Sequence, residues 1–202
     1  MFPSPKNTLR KDDTSRESYG IRAFDTSPYY GSSEIILGNA LMALETQFPR
    51  SSYKLVTIAL FSFRASLGTH DDLSYTQMTK CGRYGRERSS FDYSPARIRA
   101  SVDQSLARLR TGYLDTVYLH DVEFVCTPVT PKDGGNPLRA LMEEKVGFGL
   151  AEGEEGRIWG DGDLAILGAI AELRKMQDEG LITNVGITGE PTHALFLLSY
   201  LF

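Results

Sequence analysis

From Gly20 onward the chain alternates short apolar runs with longer amphipathic ones. Ile21 to Asp25 (IRAFD) is mostly apolar and ends on a carboxylate, the pattern of a strand buried in a parallel sheet. The turn-rich TSPYYG leads into SSEIILGNALMAL, where Ile36, Leu37, Ala40, Leu41 and Leu44 share one helical face, with Ser32 or Ser33 as N-cap. A second helix is predicted from Ser94 as N-cap, with Pro95 in its first turn. It carries Ile98, Val102, Leu106 and Leu109 inward and stops before Gly112. Leu114 to His120 (LDTVYLH) reads as the strand that follows. A third helix opens at Asp163 (DLAILGAIAELRKMQDEG), with Ile166, Ile170 and Leu173 at helical spacing and Gly180 as its left-handed stop. Leu181 to Ile187 (LITNVGI) is the next strand.

Strands alternating with amphipathic helices make an α/β protein with a parallel sheet and right-handed crossovers. Residues 1–19 are polar and aperiodic and are expected to be a disordered lead-in, with residues 20–202 as one domain. Val122 to Gly162 is rich in glycine, proline and acidic residues and reads as a long surface loop, with one weak helix around Pro137 to Lys145. The apolar run Ala194 to Phe202 is read as part of a helix.

Charge and cysteine usage narrow the function classes. A net charge of −4 and a pI near 5.4 provide no basic field to neutralise phosphates, so no nucleic-acid partner is expected. Cys81 and Cys126 are too few for a disulfide framework or a thiolate metal site, which points to free thiols and a reducing, cytoplasmic setting. No apolar run approaches the ~20 residues that span a bilayer, and the N-terminal residues lack the apolar core of a signal peptide, so no membrane association is expected. His70 and His193 have no ligand-spaced partner, and no metal site is expected. The glycines of KVGFGLAEGEEG follow no strand and open no capped helix, so they are loop glycines rather than a dinucleotide fingerprint.

Three ionisable residues close three apolar segments: Asp25 after IRAF, Lys80 after MT, and His120 after DTVYL. In a parallel barrel those strand ends open on one face, the face on which such folds build active sites. Tyr30 follows Asp25 closely enough to reach the same place. A lysine ammonium beside a phenol favours the phenolate, and a carboxylate beside the lysine holds it charged and positioned. Tyr30 is then a candidate proton donor and acceptor, with His120 placed to hydrogen-bond and orient a substrate oxygen. Taken singly, each residue has a plain structural reading: Asp25 as a turn residue, Lys80 as a surface lysine, His120 as a satisfied core histidine.

Longer segments carry a resemblance. FDTSPYYGSSEIILGNAL resembles the aldo-keto reductase signature around its acid and tyrosine. MTKCGRYG resembles the strand bearing that family's lysine, and SVDQSLARLRTGYLDTVYLHD the helix and strand leading to its histidine. GIRAFDTSPYYG, TKCGRYG and ITNVGITGEP are most similar to the family's D-arabinose or L-galactose dehydrogenase branch. The similarity covers Gly20 to Leu55 and Met78 to Pro191. It implies a partial (β/α)8 TIM barrel and hydride transfer between NAD or NADP and a small-molecule sugar or aldehyde. It further implies Tyr30 as general acid and base, Lys80 and Asp25 as its tuners, and His120 as orienter of the carbonyl. Thr188 matches a position where many relatives hold a serine against the nicotinamide carboxamide. The asparagine that follows in those relatives is Gly189 here.

The chain departs from a complete barrel, which takes usually ~250 residues and eight strands, whereas about four strands are legible. Tyr53 to Leu55 and Met78 to Lys80 are each short for a strand, but joined they read YKLMTK, an ordinary length. Val56 to Gln77 between them matches nothing in the family pattern. It is expected to be a translated intron, with a genuine surface insertion as the alternative. Two hypotheses for function follow: an oxidoreductase, and a fragment, pseudoenzyme or partner-binding subunit of the same family whose matched residues are idle.

Overall fold

The structure, a computed structural model, describes residues 24–52, 77–129, 145–154 and 156–189. Four strands form one sheet in chain order, β1 (Phe24–Asp25), β2 (Gln77–Cys81), β3 (Leu114–Leu119) and β4 (Ile182–Ile187), all parallel. Among the described residues three α-helices accompany them: α1 (Ser33–Ala43), α2 (Pro95–Leu109) and α3 (Asp161–Asp178). The α/β class and the parallel sheet are those expected. The lead-in at 1–19, the weak helix before Lys145, most of the 56–77 segment, His70, His193 and the apolar run from Ala194 lie outside the described residues.

The core lies between the sheet and its helices. Ile98, Val102 and Leu109 of α2, Leu114, Val117 and Leu119 of β3, and Ile166, Ile170, Leu173 and Met176 of α3 are all buried there. Each buried aliphatic side chain of this size contributes roughly 1.5–3 kcal/mol. α2 begins at Ser94 and Pro95 as predicted, and Arg110 in the left-handed region ends it.

The structure corrects two sequence expectations. Ile36 is not a core residue of α1 but is 63% exposed, and the buried positions are Glu34, Gly38 and Leu41. The reason is close helix packing: a Cβ at Gly38 would meet the Arg108 carbonyl oxygen at 2.1 Å, so the bare backbone of α1 lies against the end of α2. Ile36, two residues away, is thereby turned roughly 200° to the opposite side. On the buried side, the Glu34 carboxylate accepts from Ser105 Oγ at 2.8 Å and pairs with Arg108 at 3.3 Å. A buried charge demands partners of this kind.

Helix α3 starts at Asp161, not Asp163. Asp163 is buried within the first turn, and its carboxylate accepts from the backbone N–H groups of Thr127 at 3.0 Å and Trp159 at 2.7 Å, which ties down the incoming loop. β2 runs over five residues, from Gln77 to Cys81, and Gln77 pairs with Phe24.

Candidate active site

Register sets the site. Asp25 is the last residue of β1 and pairs with Met78, while Lys80 and Tyr118 are partners one step before the ends of β2 and β3. His120 follows directly after β3, its backbone N–H donating to the Cys81 carbonyl at 3.0 Å. Just past β1, Ser27 accepts from the Tyr29 N–H and starts a single 3-10 turn over Pro28–Tyr30. That turn brings the Tyr30 ring back over the sheet.

Lys80 Nζ donates to Tyr30 Oη at 2.6 Å and lies 3.5 Å from Asp25 Oδ2. Lys80 and His120 are buried, whereas Tyr30 remains 41% exposed. Sequence-predicted Asp25, Tyr30 and Lys80 thus form one connected cluster. His120 joins it through the ring of Tyr29, 6.3 Å from its own, which in turn lies 6.2 Å from the ring of Tyr30. Burial holds the Asp25 carboxyl above its ordinary range although Lys80 and His120 pull it the other way.

Thr188, just beyond β4, is buried, and its backbone bridges to the ends of β3. Its N–H donates to the Leu119 carbonyl at 2.8 Å, and its carbonyl accepts from the Val122 N–H at 3.1 Å. Its hydroxyl oxygen accepts from the Asp121 N–H at 3.2 Å, which leaves the hydroxyl proton free to donate.

The sequence did not single out several neighbours. Asp121 Oδ2 lies 2.7 Å from His120 Nδ1 and is ion-paired with Arg83. Burial pushes the Asp121 carboxyl up, but the close imidazole of His120 and the guanidinium of Arg83 outweigh it and hold it below the usual range. Arg83 also lies over the Tyr29 ring, 4.5 Å from its centroid. Tyr93 is buried and its hydroxyl donates to the His120 carbonyl at 2.6 Å. Burial keeps that phenol well above its usual range, hence a neutral donor. Gly82, at φ 97°, makes room for it, since a Cβ there would meet the Tyr93 ring at 1.9 Å. The KCGRYG and LHD motifs contained Gly82, Arg83 and Asp121, but their partners are remote in sequence and gave no local signal. Cys81 and Cys126 are buried thiols, and burial pushes the Cys81 thiol far up, so it is inert.

The family description "Aldo/keto reductase family" matches residues 16–196. The chain belongs to the aldo/keto reductase family. It is 36% identical over 174 residues to the D-arabinose 1-dehydrogenase of Saccharomyces cerevisiae, covering 86% of this chain and 34% of that protein. It is 33% identical over 182 residues to the L-galactose dehydrogenase of Arabidopsis thaliana, covering 88% of this chain and 38% of that protein. The chain therefore spans little more than a third of the length of these relatives. Among solved structures, the glycerol dehydrogenase of Gluconobacter oxydans matches with a TM-score of 0.52 at 20% identity, over 94% of this chain and 41% of that one. That match supports the shared fold, of which the four-stranded parallel sheet is a part.

Proposed function

We propose that this aldo/keto reductase chain carries the proton-handling half of a nicotinamide-dependent sugar oxidoreductase site, converting an aldose hemiacetal to its lactone or reducing an aldehyde. The observation that carries the proposal is the 2.6 Å hydrogen bond from Lys80 Nζ to Tyr30 Oη, with Asp25 3.5 Å from the same nitrogen. A phenol oxygen held by an ammonium group in a partly buried setting is suited to taking a proton from a hydroxyl or returning one to a carbonyl oxygen. Asp25 balances the lysine charge, and His120 at the neighbouring strand end orients the substrate oxygen. The names of the two dehydrogenases above support a sugar as substrate.

The cluster contains acid, base and charge-stabilising groups, which fits a reaction in which a nicotinamide, NAD or NADP, accepts or gives the hydride at carbon. Thr188, with its spare hydroxyl proton at the end of β4, would hold the carboxamide, and Asp25 would border the same ring. Among the described residues no helix is long and apolar enough to cross a membrane.

Titrating purified chain with NADH and NADPH and following nicotinamide fluorescence tests the proposal. A saturable change in intensity or wavelength with at least one of them is expected. No change with either at saturating concentration would overturn catalysis by this chain and favour the second reading, an idle relative.

A further inference from the structure

At the end of β3 the ladder to β2 loses a rung. The His120 N–H donates to the Cys81 carbonyl at 3.0 Å, and in a parallel ladder the His120 carbonyl would then accept from the N–H two places further along β2, that of Arg83. Gly82 prevents this. At φ 97° it turns the chain outward, its carbonyl accepts from the Asp92 N–H at 2.9 Å, and Arg83 forms an isolated antiparallel bridge with Phe91. The vacated place is taken by the returning segment. Tyr93, buried directly before the Ser94 start of α2, lays its ring against the bare backbone of Gly82, and its hydroxyl donates to the His120 carbonyl at 2.6 Å.

The peptide group between His120 and Asp121 is thus held by two side-chain hydroxyls. Its carbonyl accepts from Tyr93, and its N–H donates to Thr188 Oγ1 at 3.2 Å. The residue that follows needs such restraint: Asp121 has a non-glycine backbone in the left-handed region, φ 59°, a conformation that persists only where the surroundings enforce it. Without the phenol, the carbonyl becomes a buried acceptor with no donor, and the left-handed turn loses one of its two clamps. Rotation of the same peptide relieves both, and it carries the His120 Cα and ring with it.

We infer that Tyr93 is a positioning residue: it replaces the ladder donor that β2 withdraws at Gly82, holds the peptide after His120, and so fixes the His120 ring in its place beside Tyr29 and Tyr30. The inference rests on the sugar oxidoreductase reading above and deepens it. Tyr93 acts through His120 and not on the substrate. Its loss therefore lowers the rate of the chemical step and leaves nicotinamide binding as it was, because misplacing a group by a fraction of a bond length is felt in the reacting geometry first.

Tyr93→Phe removes the hydroxyl and keeps the ring against Gly82. With His70→Gln and His193→Gln in the same chain, His120 is the single imidazole. Its ring protons report its place by magnetic resonance, since the Tyr29 ring lies 6.3 Å away and shifts them by its ring current. Tyr93→Phe is expected to shift or broaden the His120 ring signals while the amide signals of α3 stay in place. In turnover it is expected to lower kcat roughly 10–100-fold with an unaltered KM for the nicotinamide. His120 ring signals at their parent positions overturn the inference. Displacement spread evenly over the whole spectrum does so too, since Tyr93 is then a general packing residue. Should Tyr93→Phe fail to fold, 3-fluorotyrosine placed at position 93 keeps ring and hydroxyl but donates more strongly. It is expected to move the His120 carbonyl-carbon and ring signals together, and unmoved signals overturn the inference. The spectra require no turnover, so a chain that fails to bind nicotinamide leaves them readable, and the two proposals fail separately.

Discussion

Lys80 Nζ and Tyr30 Oη, fifty residues apart in the chain, meet at 2.6 Å. The pair is built from a strand and the 3-10 turn beyond its neighbour, so each side chain has meaning for chemistry only with the other present. Removing either, as Lys80→Met or Tyr30→Phe, is expected to lower kcat of nicotinamide-linked sugar oxidation by roughly 10²–10⁴. Groups acting as one unit are not additive. The double variant should therefore be no slower than the worse single one, and steady-state kinetics showing the product of the two losses would mean that they act independently.

Asp25 and Asp121 make opposite contributions to stability as pH changes. The folded pKa of Asp25 is raised above 3.8, so its contribution is present below that value and is lost as pH rises through the raised one. The folded pKa of Asp121 is lowered, so its contribution is present above 3.8 and is lost as pH falls through the depressed one. Thermal melts at neutral pH should show Asp25→Asn above the parent and Asp121→Asn below it. Both differences should close as the pH falls below the ordinary carboxylate range. The same sign for both variants at neutral pH would contradict this.

Gly38→Ala tests the contact between α1 and α2. In an exposed helix interior alanine is more favourable than glycine by up to ~1 kcal/mol. Here the added methyl would stand 2.1 Å from the backbone carbonyl of Arg108, which cannot yield as a flexible side chain would. Overpacking of this kind costs about 1–3 kcal/mol and should prevail. Chemical denaturation of the variant should show a lower midpoint, and an unchanged or higher one would place the two helices further apart.

We propose that the segment from Val56 to Gln77 is translated from an unspliced intron. Sequencing the messenger RNA should recover a shorter form in which Leu55 runs on to Met78. A transcript that always includes the segment would make it a genuine insertion. The pairing of Gln77 with Phe24 adds a constraint: the splice must restore a residue able to take that place in β2.

How much of this was legible depends on how local the signal was. The strand at Leu114, the start of α2 at Ser94 and Pro95, and the stop at Gly180 are written in periodicity and caps within a few residues of each other. Asp25, Lys80 and His120 were legible because each sits at or within one residue of a strand end, where type and position coincide. The inward face of α1 was not. Ile36 looks like a core residue by hydrophobicity, but the approach of α2 to Gly38 selects the side bearing Glu34, and no window of sequence contains that approach. Arg83 and Asp121 were missed for a similar reason, since their ion pair spans 38 residues and becomes visible only when β2 and β3 lie side by side.

The sheet runs β1, β2, β3, β4 in the order of the chain, with every strand pointing the same way. Carboxylate, ammonium, imidazole and hydroxyl are consequently delivered one per βα unit, like tools held in adjacent slots of a rack. Any one can be exchanged, or its following loop rebuilt, without re-aiming the rest. Divergence of substrate choice within such a scaffold therefore requires no change of fold.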